Sequence, residues 1–396
     1  MKKRLLSVLL SALLLTTALA GCASSADSTT TDETTAAETQ TEEIAGIDKD
    51  DVIIGVIHLT DTSDQGYVFN HNVGVEKMIE NLGLREDQVI TKFNVAEGTE
   101  TDTALRELIE SGANIIFGTN FGFENYMLEL AKEYPDVQFC HATGYQAASS
   151  GLSNLHNYFP AISEAIYLTG VVAGLKTENN KLGYVAGQPY AEVISGFTAF
   201  YLGAKSVNPD VTMEVKYVNS FADPQADAQA AQALIDSGCD VLSNYTGSTT
   251  TATVAEKNNV WHVGYNTDMI EAAPNANIIS AAIDWSQYMT IAVQAVIDGT
   301  QIPADWSEGL SADGTTDAVY VTQLNEAIAP EGAQEALDQA TEALRSGETH
   351  VFQGPLKGVN ADGEEIDLKE GEYFTEQEVI SAPSWNYIVD GVTVDE

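Results

Sequence analysis

Positive charge is what this chain has least of. Seventeen Lys and Arg stand against 59 Asp and Glu, for a formal net charge of −42. So acidic a surface repels nucleic acid and anionic headgroups. A polyanionic ligand would need a local basic pocket, and no Lys/Arg cluster in the sequence would build one. Cysteine is scarce too, with three residues and no CxxC. Cys140 and Cys239 fall beside expected strands, far apart, and read as small buried hydrophobes rather than a disulfide framework or a zinc site. After the first twenty residues no segment is apolar enough to span a bilayer. Catalytic signatures are missing as well: no G-x-S-x-G, H-E-x-x-H, G-x-x-x-x-G-K-[ST] or G-x-G-x-x-G occurs, and none of the six histidines pairs with another at helical metal-binding spacing. The acids of "TDTSD" fall short of a calcium loop. The expectation is a protein with no metal and no cofactor that is not an enzyme.

What is present begins with an address. Met1-Lys2-Lys3-Arg4 is a basic start, Leu5 to Leu19 an apolar stretch, and Leu19-Ala20-Gly21-Cys22 resembles the bacterial lipobox. Residues 1–21 are expected to be a lipoprotein signal peptide and Cys22 the lipidated residue. Cleavage removes three positive charges and no negative one, taking −42 to −45. Residues 22–49 then read as an acidic, Thr-rich tether that cannot bury enough to fold. The expected location is extracytoplasmic, anchored to the cell membrane by the lipid.

From Asp51 onward short β-rich runs alternate with amphipathic helical patterns, several closed by a glycine such as Gly112, Gly238 or Gly299. That alternation predicts an α/β fold of parallel sheets covered by helices on both faces. About ten strands are too many for one small sheet, so two doubly wound lobes joined by a hinge are expected. The halves also look alike: "TALRELIESGANIIFGTN" and "QAAQALIDSGCDVLSNYT" each read as helix, Ser-Gly and buried strand. Lobe one is expected over 50–157 plus about 265–282, lobe two over 158–264 plus about 283–345, and 346–396 as an extension packing on both.

In such sheets a ligand lies beyond the carboxyl ends of the strands. The residues there are consistent: Tyr67, Phe121, Tyr145, Tyr190, Phe221, Tyr245 and Trp285, among Asn, Ser, Thr, Gly and a few Asp, with no positive charge. Such a cleft suits a flat, neutral, polar ligand, with rings on its faces and polar groups at its edges. Asp61 and Asp64, in "DTSDQGYVF", either face that edge or hold the loop.

A family resemblance runs from about Asp51 to the end. It is carried by "DQGYVF", "GTNFGF", "VQFCHATGY", "KLGYVAGQPYAEVISGFTAFYLGAKSVNPD", "VNSFADPQAD", "ALIDSGCDVL", "GYNTDM" and "VFQGPLKGVNADG". The chain resembles the basic membrane lipoproteins, substrate-binding components of ABC importers with a periplasmic-binding-protein type I-like fold, whose better-known members take purine nucleosides. The resemblance implies a monomer that closes its lobes on a purine nucleoside or free base and docks on a permease and ATPase complex. It places Tyr67 and Phe221 on the two faces of the base, Asp268 at the ribose hydroxyls, the Gly247 backbone near the ligand and Asp61 near the base edge. Nucleoside-binding members commonly carry a lysine where this chain reads "AAIDWSQYM"; Trp285 in its place is expected to shrink the sugar pocket and favour a free base. The other readings are a different neutral solute, such as a sugar or another heterocycle, and a ligand-sensing surface lipoprotein without transport.

Overall fold

The computed structural model describes residues 45–377 and 380–395. The expected signal peptide, the lipid-bearing Cys22 and most of the tether therefore lie outside the described residues. In chain order the first strands are β1 (Ile54–Ile57), β2 (Val89–Lys92), β3 (Ile115–Gly118), β4 (Gln138–Ala142) and β5 (Leu155–Tyr158). After them come β6 (Lys181–Ala186), β7 (Thr212–Tyr217), β8 (Val241–Tyr245), β9 (Trp261–Asn266) and β10 (Asn277–Ile283). The short strands β11 (Asp305–Trp306) and β12 (Val319–Val321) follow, then β13 (Leu356–Val359), β14 (Glu365–Leu368), β15 (Ile388–Val389) and β16 (Val392–Asp395).

These build two large sheets. One has the order β11-β5-β4-β3-β1-β2, the other β12-β10-β9-β8-β6-β7-β16. Every pairing in the first is parallel, and in the second only β12 runs antiparallel. β1 shows why the sequence reads as it does: all four of its residues are buried, because helices cover both faces of the sheet. The doubly wound two-lobe reading of the sequence holds.

The expected return points do not. Residues 265–282 were placed in lobe one and 283–345 in lobe two, yet β10 pairs in parallel with β9 inside the second sheet. The helix Ser286–Asp298 instead packs on the helix Tyr67–Leu82, and β11 pairs with β5, so this part belongs to lobe one. The physical reason is long-range pairing. Only ten residues, 267–276, separate β9 from β10, and β10 is buried at all seven positions between β9 and β12. The chain crosses between lobes at 159–161, 284–285 and 307–318.

Lobe two is organised around two long helices, Ile162–Lys176 and Ala191–Val207, which touch through glycines. A Cβ at Gly170 would come within 2.1 Å of the Phe200 carbonyl oxygen, and one at Gly203 within 1.9 Å of the Tyr167 oxygen. Alanine at either would force the helices apart at a cost of about 1–3 kcal/mol. This close packing fixes the helix Ala191–Val207, whose first turn forms part of the site. The C-terminal segment adds a small antiparallel sheet, β14-β13-β15, and lends β16 to the second large sheet beside β7. No described helix is long and apolar enough to cross a membrane.

Candidate functional site

Loops leaving the carboxyl ends of both sheets enclose a cleft of about 450 Å³, within the range of small-ligand sites. From lobe one it receives the loop after β1, then Asn94, Asn120, Phe121 and Thr143. From lobe two come Glu192, Phe221, the stretch Tyr245–Thr250, Tyr265 and Asn266. Among its described lining residues there is no lysine, arginine or histidine. Nor do the described residues include any group of three His, Cys, Asp or Glu side chains placed to hold a metal ion.

The lobe-one wall is tied down. Asp61 accepts from the Ser63 backbone at 2.9 Å, from the Ser63 hydroxyl, and from the Asn94 amide at 3.1 Å. Those bonds, the serine hydroxyl's foremost, hold its carboxyl below the usual range. Asp64 accepts from the backbone of Gly66 at 3.0 Å, Val68 at 2.9 Å and Phe69 at 3.1 Å. It thereby satisfies donors that the first turn of Tyr67–Leu82 leaves without partners. Burial raises the Asp64 carboxyl, against the pull of those backbone donors. Of the two roles open to these acids, both hold the loop.

Tyr67 stands on that loop with its ring edge-on to His71 at 4.6 Å and to Trp285 at 5.9 Å, while His71 stacks on Trp285 at 3.8 Å. Trp285 is 1% exposed and does not line the cleft. The expectation that it narrows a sugar pocket is thereby corrected: it begins the helix that packs on Tyr67–Leu82, so its ring backs Tyr67. The argument it gave for a free base falls with it.

The lobe-two wall differs. Phe221 lies over Gly187, where a Cβ would come 2.5 Å from its ring. Its carbonyl accepts from Gly247 N–H at 2.9 Å, which ties together two of the expected residues from the loops after β7 and β8. Tyr245 stacks on Tyr265 at 4.2 Å, and their buried hydroxyls neighbour each other, with no hydrogen bond of good geometry among the described residues. Asn266 is 0% exposed, and neither its Nδ2 nor its Oδ1 has a hydrogen-bond partner. Its φ of +75° lies in the left-handed region, which asparagine adopts more readily than other residues apart from glycine. Burial pushes the Glu192 carboxyl up to about 7.

The lobes meet at the cleft's edge. Tyr67 N–H donates to the Gly247 oxygen at 3.4 Å, and Thr267 Oγ1 donates to the Gln65 carbonyl at 2.9 Å. Gly66 is needed there, because a Cβ would come within 2.2 Å of the Gly247 oxygen. At the rim Phe121, 38% exposed, lies 5.2 Å from Tyr190 of the other lobe and 6.3 Å from Tyr145.

The cleft thus gathers Tyr67, Phe221, Asp61, Phe121, Gly247 and Tyr245. It leaves out Trp285 and Asp268. Asp268 is exposed and accepts from its own turn, from Ile270 N–H at 3.0 Å. Two residues earlier, the left-handed turn at Asn266 sends Thr267 to Gln65 and leaves Asn266 in the wall. Sequence reasoning missed Asn266 and Glu192. The first sits in "GYNTDM", one of the segments that drew notice, but its acid drew the attention; the second carries no signal beyond opening a helix.

The family model described as ABC transporter substrate-binding protein PnrA-like matches residues 52–344. A purine-binding protein of Brucella abortus is 33% identical over 341 residues, 86% of this chain and 92% of its own. A Haloferax volcanii protein with the provisional name of ABC transporter glucose-binding protein is 30% identical over 325 residues, 81% of this chain and 78% of its own. Among solved structures, an ABC transporter solute-binding protein from Conexibacter woesei superposes with a TM-score of 0.61 at 22% identity, over 76% of this chain and 98% of its own.

Proposed function

The chain belongs to the family of PnrA-like ABC transporter substrate-binding proteins, and we propose that within it this member captures a purine, as nucleoside or free base, outside the cytoplasm. The observation that carries this is the Asn266 carboxamide. It is a buried donor and acceptor, both unpartnered, in a cleft flanked by Tyr67 from one lobe and Phe221 from the other. A carboxamide matches the paired donor and acceptor on a purine edge. Rings on the two faces of the base contribute roughly 1–3 kcal/mol each. The name of the Brucella relative agrees with this reading.

The Haloferax relative's name points to a sugar instead. Sugar sites also use aromatic rings but typically aim several charged groups at the hydroxyls. Here Asp61 and Asp64 are already spent on the loop, which favours the purine. Ligand touching both lobes stabilises the closed state, and that state docks on the permease. Lipidation at Cys22 keeps the protein at the membrane; Cys22→Ala is expected to abolish fatty-acid labelling of the protein and leave residues 1–21 uncleaved.

The test is a thermal-shift screen of purine and pyrimidine bases, nucleosides and sugars. A ligand at a thousand times its Kd adds about 4 kcal/mol to stability, so a true ligand moves Tm by several degrees. Shifts by purines alone support the reading. Shifts by sugars alone overturn it.

A further inference from the structure

Glu192 is the cleft residue that stacking leaves unexplained. It lies in the first turn of the helix Ala191–Val207, the end where a helix's partial positive charge favours a carboxylate. Among the described residues nothing donates to it, and burial alone accounts for its raised pKa of about 7. Its neighbours are phenols from both lobes. Tyr67, Tyr245 and Tyr265 are raised well above the usual range by burial first and, in smaller part, by the charge of Glu192. Glu192 is partly exposed, at the cleft, and a carboxyl in so apolar a site with no donor from the protein is costly. On the wall of a ligand cleft, that cost is offset when the ligand brings the donors.

We propose that Glu192 is the specificity-determining residue of the cleft, its carboxylate accepting hydrogen bonds from N–H groups on the edge of the purine. The inference rests on the purine reading of the same site. It differs in kind from the role of Asn266, whose amide both donates and accepts and so tolerates either sort of edge. An ionised Glu192 only accepts. It therefore favours ring edges bearing amino or ring N–H groups and disfavours edges that present ring-nitrogen lone pairs. Leaving such a group unpaired is what lets a site reject a close analogue.

The sign of the pH dependence follows. N–H donors bind the ionised form, so affinity is full above the carboxyl's own pKa near 7 and falls as pH drops below it. Other groups near the cleft also titrate. Asp61 and Asp64 lie on the opposite wall, and Asp227, which accepts from Ser248, is pushed up to about 6 by burial. The Glu192→Gln variant is the background that separates them.

The experiment is calorimetric titration with adenine, guanine, their nucleosides and purine riboside, which has neither an amino group nor a ring N–H, at about pH 6 and about pH 8. It uses the chain without residues 1–22, which retains the compact unit Glu43–Glu396. The wild type should bind at least one amino-bearing purine about tenfold or more tighter than purine riboside. Its affinity for that ligand should fall on going to the lower pH. Glu192→Gln should weaken the amino-bearing purine by about tenfold, leave purine riboside nearly unchanged and flatten the pH dependence. Glu192→Asp, should the Gln variant fold poorly, should keep the pH dependence at reduced affinity. A wild type that binds purines but whose preference and pH profile survive Glu192→Gln overturns this inference alone. A wild type that binds no purine overturns the purine reading and this inference together.

Discussion

The two walls of the cleft follow opposite plans. On the lobe-one side the carboxylates are satisfied before any ligand arrives: Asp61 and Asp64 are bonded to their own loop, Tyr67 is braced by the rings of His71 and Trp285, and the unpartnered group on that wall is the Thr143 hydroxyl. On the lobe-two side both residues line the cleft: Asn266 has its carboxamide buried without a partner, and Glu192 is partly exposed with no donor among the described residues. The difference separates two tasks that one surface performs poorly. A stacking platform works best rigid, since a ring already in place loses little freedom on binding. Discrimination needs polar groups that only the right ligand satisfies. On the proposed reading, lobe one contributes the braced ring, and lobe two adds a second ring and the polar groups that discriminate.

The strongest test of the rigid side is Trp285→Ala. The indole is 1% exposed and stacked on His71 at 3.8 Å. Its loss should cost about 3–5 kcal/mol in urea unfolding, as for other buried aromatics, and should weaken ligand binding by freeing Tyr67. A cost below about 1 kcal/mol would mean that the brace is not rigid. Next comes the contact between lobes. Gly66→Ala puts a Cβ against the Gly247 oxygen, a clash that opening the lobes relieves. Affinity should drop by about 1–3 kcal/mol, the usual range for overpacking, while the unliganded Tm stays close to wild type. A lowered Tm with normal affinity would mean that the contact serves folding rather than capture.

The stacking residues should separate the walls most cleanly. Tyr67→Ala and Phe221→Ala are each expected to cost roughly 1–3 kcal/mol of ligand affinity by calorimetry. Only Tyr67→Ala should also lower stability appreciably, because only that ring packs on His71 and Trp285. Equal stability losses would erase the distinction, and unchanged affinity in both would remove stacking altogether.

How much of this could be read from sequence depended on how local each feature is. The strand ends were legible, and with them Tyr67, Phe221, Tyr245 and Gly247, because a buried apolar run followed by polar and aromatic residues is written in adjacent positions. The sheet that β10 joins was not, since seven buried residues announce a strand but not its neighbour. Trp285 was legible as important and misread in role: its position at a strand end was visible, while the packing of its helix on Tyr67–Leu82 was not. Glu192 was illegible for a similar reason. An acid in a helix's first turn is ordinary, and what singles it out is three tyrosines brought there by another lobe and by other strands.

Asp268 carries the smallest expected effect and marks where the resemblance and the geometry part. The family pattern puts a ribose-binding acid at this position, whereas the fold turns the chain at Asn266 and leaves Asp268 exposed, accepting from Ile270 N–H at 3.0 Å. Removing one surface turn contact should change stability by no more than about 0.5 kcal/mol. Asp268→Ala should therefore leave affinity for a nucleoside and for its free base within about twofold of wild type. A selective loss of nucleoside affinity, with the free base unaffected, would restore the family role. It would require the turn after Asn266 to rearrange when the lobes take up ligand, and the division between a finished wall and an unfinished one would then extend to Asp268 as well.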